Sequence, residues 1–481
     1  MRFPLLLTTA AVATTTVLAA GNDTSDAVDV TNGATAEAEN GVLNGVTVGT
    51  STAGFSGTGY VEGFDADADS LTITLYSKTQ ALYDLVLIYA ALNGGKQTKM
   101  ALNGAGGAQI ILAPTTAESP WANASAGQVL LNAGNNQITF INDWGWYSID
   151  SLSVTPAPPP EPHAVTNKLV VPDVLPVTQA LYTKLLSKYG TGEIFSGQAE
   201  LSGIDWVEKN VGKTPAILGL DFMDYSPSRV AFNASGKSVE EGISWDARGG
   251  ILTYQWHWNA PSQVINNDTV PWYKGFYTYG TTFNLSQALA DPSSTEYGLL
   301  ISDMDAIAKE LLRLQEANIP ILWRPLHEAD GTWFWWGAHG PESCKTLYRM
   351  MFDRYTNVHK LRNLIWVWNS VTPSWYPGDD VVDILGYDSY PPIGDHGPVS
   401  PQYQQLIALG QNKKMVTLPE VGNIPDPDIL KAYRVNWSYF VVWNGEFIET
   451  ETYNPLELKK RVYEDPTVLK LADLGDWKSG Q

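Results

Sequence analysis

"ILWRPLHEADGTWFWWGAHG", residues 321–340, begins as a buried strand and ends as something else. Ile321, Leu322 and Trp323 are apolar in succession, without the alternation of a strand that keeps one wet face. Such a run suits a parallel sheet covered on both sides. Arg324, His327, Glu328 and Asp330 follow, and then four rings, Trp333, Phe334, Trp335 and Trp336. Polar residues just past a buried parallel strand are what a (β/α)8 barrel gathers at its mouth. The four rings then fall in the next loop, where they can wall a cleft.

Seven further runs share this character: 193–198, 215–225, 249–258, 363–370, 382–390, 414–422 and 437–445. Between them lie helical patterns, clearest in "STEYGLLISDMDAIAKELLRLQEANIP", whose apolar residues recur at spacings of three and four. Eight buried strands with interleaved helices predict a (β/α)8 TIM barrel over 166–481. A doubly wound open sheet is the alternative, but no Gly-rich phosphate loop follows a strand. "PAPPPEPHAV", 156–165, reads as a semi-rigid polyproline linker. Before it, 21–155 is rich in Gly, Thr, Ala and Asn, with short alternating runs such as "LTITLYS", "NQITFIN" and "SIDSLSVT". These predict an N-terminal β-sandwich of the jelly-roll kind.

Residues 1–20, "MRFPLLLTTAAVATTTVLAA", read as a secretory signal peptide, which predicts an extracellular protein. Sequons at Asn22, Asn123, Asn233, Asn267, Asn284 and Asn436 are compatible with a glycoprotein. The lone cysteine, Cys344, excludes an intrachain disulfide. A formal net charge of −21 argues against nucleic acid and anionic membranes. No run past the leader is long and apolar enough to span a bilayer. The 18 Trp and 23 Tyr could all be core, but exposed rings would suit a pyranose, whose axial C–H face stacks on them.

The predicted strand ends carry the chemistry. The third ends in Gln255, Trp256, His257 and Trp258, and the fourth in His327 and Glu328. Asp388, Ser389 and Tyr390 end the sixth, Pro419 and Glu420 the seventh, and Trp443 and Asn444 the eighth. Glu328 and Glu420 would face each other across a barrel mouth, and glycoside hydrolysis needs two carboxylates flanking the scissile bond. His257, His327 and Glu328 could instead bind a metal, but no HExxH and no compact His cluster is present. The absence of GxSxG disfavours an esterase.

"WRPLHEADGTWFWWG", "LGYDSYP", "TLPEVG" and "VVWNGE" together resemble glycoside hydrolase family 26, mostly endo-β-1,4-mannanases of a retaining (β/α)8 clan. The likeness covers roughly residues 165–475. It implies that Glu328 is the acid/base and Glu420 the nucleophile of a double displacement that needs no cofactor. Glu328 would then have a raised pKa. His257, Trp333, Tyr390 and Trp443 would line the subsite of the reacting sugar, with Tyr390 bonded to the nucleophile. His327 would orient the acid/base or touch the sugar, and Asp388 is a further candidate for substrate binding. Arg324 would pair with Glu420 or serve a buried ion pair.

"AEAENGVLNG", "SGTGYVEGF" and "NDWGWYSIDSLSV" resemble a carbohydrate-binding module of family 35. That likeness implies a structural Ca²⁺ on Glu37, Glu39 and Asp150, an ion that oxygen ligands suit. Read alone, Glu37 and Glu39 share one face of a strand, which a solvated edge explains equally well. Sugar contacts would come from Tyr60, Trp121, Asn142 and Trp144. The expectation is a monomeric, secreted, retaining endo-β-1,4-mannanase acting on mannan or galactomannan. A xylanase or mixed-linkage glucanase on the same barrel is the alternative, as is a carbohydrate-binding protein without catalysis.

Overall fold

The computed structural model describes residues 27–479. The signal peptide expected at 1–20 and the sequon at Asn22 lie outside them. The chain divides into two compact units between Pro158 and Pro159.

The first unit consists of two six-stranded sheets. One contains Ser70–Ser77, Gly134–Trp144, Lys96–Leu102 and Ala105–Leu112; the other contains Ala122–Leu131, Ala81–Ala90, Ser148–Pro156 and Tyr60–Glu62. Ser70–Ser77 alternates buried and half-buried residues along its whole length, as a strand with one core face must. Leu71, Ile73 and Leu75 from it pack with Leu85, Leu87, Phe140 and Leu152. The strand Ala122–Leu131, "ANASAGQVLL", escapes sequence reading because Ala, Ser and Gly carry almost no β signal. Its neighbour Ala81–Ala90 pairs with it in antiparallel register. Strand structure runs into Pro156, and Ala164 already donates to the Asn412 carbonyl of the second unit. The proline spacer is therefore shorter at both ends than 156–165.

The second unit is the closed barrel. Its strands are β1 (Ile194–Ala199), β2 (Ile217–Asp221), β3 (Ile251–Gln255), β4 (Ile321–Arg324), β5 (Leu364–Asn369), β6 (Ile384–Ser389), β7 (Met415–Val421) and β8 (Tyr439–Val442). Each pairs in parallel with the next, and β8 pairs with β1 to close the ring. All eight predicted strands are present, but most are shorter than their apolar runs. β4 stops at Arg324 because Pro325 has no N–H to give the ladder. Gly197 of β1 is required by crowding: a Cβ there would lie 2.7 Å from the Phe440 carbonyl oxygen.

Helix Thr295–Glu316 begins where the Ser294 hydroxyl accepts the Tyr297 N–H. Its buried face carries Leu300, Met304, Ile307, Leu311 and Leu314 at the expected spacing. Asp303 lies on that same face, and Trp258 Nε1 donates to it at 2.8 Å. Burial raises the Asp303 pKa to about 7, against the smaller pull of that N–H. The folded protein therefore holds a proton that the unfolded chain releases near its ordinary value, so Asp303 stabilises the fold at low pH. That stabilisation is lost as pH rises toward 7. Asp303→Asn keeps the acceptor without the charge. We expect its melting temperature to decline less between pH 5 and pH 8 than that of the parent, measured by thermal unfolding at each pH.

Candidate active site

The mouth of the barrel is assembled from residues that end seven of its strands or follow them. Past β4 the chain turns sharply. Leu326 and Glu328 are left-handed, with φ of 51° and 54°, a conformation that costs a non-glycine residue about 1–3 kcal/mol. Two bonds hold this turn. Asn369, the last residue of β5, accepts the Glu328 N–H at 2.9 Å, and Trp336 Nε1 donates to the His327 carbonyl at 2.9 Å. The Glu328 carboxylate accepts Trp333 Nε1 at 2.9 Å.

Glu420, in β7, is buried. Its Oε1 accepts the Tyr390 hydroxyl at 2.6 Å, and its Oε2 accepts Arg324 Nη2 at 2.6 Å. Arg324 Nη1 donates to Asp388 at 2.6 Å, and Asn369 Nδ2 donates to the other Asp388 oxygen at 2.8 Å. Arg324 thus serves both alternatives drawn from sequence: it pairs with Glu420 and it is a buried ion pair. Oxygens of Glu328, Asp388 and Glu420 lie within 4.8 Å of one another. The Arg324 guanidinium already supplies a positive charge to two of the three.

Burial raises the Glu328 pKa, and the neighbouring charge of Glu420 raises it further. Burial also lifts Asp388 well above the carboxylate range, despite Arg324. His257 would be lowered by burial, but Asp221, 2.5 Å from its Nδ1, outweighs that and raises it. His327, buried beside Arg324 and His257, is lowered well below the ordinary imidazole value.

A cleft of about 470 Å³ opens above, lined by Glu328, Trp333, Asn369, Tyr387, Asp388 and Tyr390. Trp443 and Arg324 instead line a smaller cavity of about 80 Å³ with Glu200, Asp221 and Gln255. His257 and His327 lie beneath, ring against ring at 4.5 Å, with Trp443 6.2 Å from His257. The expected wall of four rings is corrected: Trp333 is 49 % exposed, whereas Phe334, Trp335 and Trp336 are buried. They join Trp256, Trp258, Trp323, Trp366 and Trp368 in the barrel's core, so much of the tryptophan count is structural. Sequence reading passed over Asp221 and Asn369, which end β2 and β5 just as the recognised residues end the other strands.

In the first unit, Glu37, Glu39 and Asp150 surround the loop Ser56–Thr58. Ser56 Oγ donates to Glu37 at 2.7 Å and lies 3.0 Å from Asp150, and the Thr58 N–H donates to Glu39 at 2.6 Å. Glu39 falls in a 3-10 turn after the strand, so it does not share a strand face with Glu37. Tyr60 is fully buried, with its hydroxyl near Ser51 and its ring against Trp121 at 5.1 Å, and so has no face to offer a sugar. Asn142 is buried and donates to the Ala66 carbonyl. Trp144 is exposed, and so is Trp146, which the sequence reading did not select.

The model of glycosyl hydrolase family 26 matches residues 172–473, and that of carbohydrate binding module family 35 matches residues 34–157. A mannan endo-1,4-beta-mannosidase of Thermothelomyces thermophilus is 46 % identical over 93 % of this chain and 92 % of its own length. A mannan endo-1,4-beta-mannosidase B of Piromyces sp is 35 % identical over 91 % of this chain and 76 % of its own. The crystal structure of a Podospora anserina GH26-CBM35 beta-(1,4)-mannanase superposes with a TM-score of 0.71 at 45 % identity, covering 93 % of this chain and all of that one. Among the described residues, no helix is long and apolar enough to cross a membrane.

Proposed function

The chain belongs to glycosyl hydrolase family 26, and we propose that it is a secreted, retaining endo-β-1,4-mannanase that works by double displacement. It hydrolyses internal β-1,4-mannosidic bonds of mannan. The observation that carries the mechanism is the approach of Glu328 and Glu420 to within 4.8 Å, oxygen to oxygen. Retaining pairs stand about 5–5.5 Å apart, whereas inverting pairs leave roughly 6.5–9.5 Å for a water.

Glu420 Oε attacks the anomeric carbon as its bond to the leaving oxygen breaks. Glu328 gives that oxygen its proton, and a glycosyl ester of Glu420 forms. Glu328, now a carboxylate, removes a proton from water, whose oxygen attacks the same carbon and releases Glu420. Burial and the charge of Glu420 both favour the protonated Glu328 that the first step requires. Arg324 and Tyr390 each donate to Glu420 and fix its direction. Trp333 and Tyr390, both exposed in the cleft, offer ring faces to the sugar, with His257, His327, Asp388 and Trp443 around it. The test is reducing-end release from galactomannan, xylan, mixed-linkage β-glucan and cellulose in parallel. Mannan should be cleaved fastest, and faster release from xylan or β-glucan would overturn the substrate assignment.

The same reading makes the N-terminal unit a mannan-binding module tethered by the proline spacer, with Trp144 and Trp121 as its sugar-facing rings. A Ca²⁺ held by Glu37, Glu39 and Asp150 belongs to it. Its support is that Glu39 Oε2 is buried without a hydrogen-bond partner beside two further carboxylates. Chelator should then lower the melting temperature of the chain, and Ca²⁺ should restore it. A melting curve indifferent to both would remove the ion.

A further inference from the structure

Asp221, the last residue of β2, accepts four hydrogen bonds. Its Oδ1 takes the N–H groups of Met223 at 2.7 Å and His257 at 3.0 Å. Its Oδ2 takes Gln255 Nε2 at 3.1 Å and His257 Nδ1 at 2.5 Å. Two branches leave it. Along one, the Gln255 carbonyl oxygen accepts from Arg324, whose Nη2 also donates to Glu420. Along the other, His257 Nε2 meets His327 Nε2 at 3.2 Å, and His327 precedes Glu328.

An amide is symmetric in shape and opposite in chemistry at its two ends. Arg324 has only donors, so Gln255 must turn its oxygen to it and its Nε2 the other way. A carboxylate at 221, which only accepts, makes that orientation the sole satisfied one. It likewise requires a proton on His257 Nδ1.

We propose that Asp221 is a positioning residue for the reacting pair, setting the Gln255 amide so that Arg324 aims at Glu420, and the His257 ring so that it backs His327. The proposal rests on reading Glu420 and Glu328 as that pair. The groups facing His257 are Asp221, His327, Glu420 and Arg324.

Asp221→Asn places an NH₂ either against the Gln255 NH₂ and the His257 ring N–H or against the backbone N–H groups of Met223 and His257. Relief by turning Gln255 over would set two donors against each other at Arg324. Gln255→Glu alone sets two carboxylates together. The double variant D221N/Q255E restores donor to acceptor at that contact. The amide introduced at position 221 donates to the carboxylate introduced at position 255, and that carboxylate still accepts from Arg324. The four full-length chains are compared for kcat and KM on β-1,4-mannopentaose, with melting temperatures recorded.

A displacement of about 1 Å at the reacting groups can cost ~100-fold. We expect kcat of D221N to fall by about that factor, KM to change by less than about threefold, and D221N/Q255E to recover at least about tenfold over either single variant. A D221N kcat within about twofold of the parent would overturn the proposal. So would a loss confined to KM, or a double variant no better than the singles. If D221N did not fold, the double variant must still exceed Q255E. Failure of the parent on mannopentaose would count against the mannanase reading instead. The same ratios would then be taken on whichever β-glycan the parent cleaves.

Discussion

Replacing Glu420 by alanine removes turnover on mannan, by a factor on the order of 10⁴ or more, as for nucleophiles elsewhere. Among the described residues no other carboxylate is placed to substitute, because Asp388 is held by Arg324 and Asn369. Changing the leaving group does not rescue the variant, since the missing event is attack on carbon. Glu328→Ala behaves differently. Its loss is large on mannan, whose leaving alcohol needs the proton, and small for formation of the glycosyl-enzyme from an aryl mannoside with an acidic phenol. Azide, which needs no general base, then accelerates its second step. The alkaline decline in kcat/KM, set in the parent by deprotonation of Glu328 through its raised pKa, is absent from Glu328→Ala. Rates on both substrate classes across pH check this, and the opposite pattern in the two variants would exchange the roles.

Arg324→Met has the second-largest expected effect, and it acts on both stability and rate. The side chain is 2 % exposed and pairs with Asp388 and Glu420, themselves 2 % and 8 % exposed. Removing the cation leaves clustered carboxylates buried without it, and breaking such an arrangement costs about 3–5 kcal/mol. Denaturant unfolding should show a lower midpoint with an unchanged slope. Activity should be lost as well, because Glu420 keeps only Tyr390 to direct it. Arg324→Lys should recover part of the stability and little of the rate, since an ammonium cannot span Asp388, Glu420 and Gln255 in one plane. A Lys variant with near-parental kcat would show that charge alone matters there.

The barrel was legible because its strands are buried on both sides, so each reads as an unbroken apolar run. The residues at the ends of five of those runs include the two glutamates, His257 and His327, Asp388, Tyr390 and Trp443. Asp221 was hidden because "DFMDY" prolongs its apolar run past the end of β2, so the strand seemed to finish at Tyr225. Asn369 was hidden because an amide carries no charge to draw notice, although it holds both Glu328 and Asp388. Hydrophobicity could not tell which ring of the 333–336 run faces the cleft, since the loop's path decides that. The left-handed turn at Glu328 has no local signature either; it persists because Asn369 and Trp336 hold the chain from outside. In the N-terminal unit, alternation revealed the long strands but not which aromatic side chains turn inward, and Tyr60 is the case in point.

In this mechanism Glu420 becomes covalently attached to the sugar. A mannosyl substrate with fluorine at C2 and a good leaving group slows both steps, the second more, so the intermediate accumulates. Mass spectrometry of the protease-digested enzyme then locates it. One added fluoromannosyl group is expected on the peptide that contains Glu420. A label on Glu328 or Asp388, or an active enzyme that never acquires one, would contradict it.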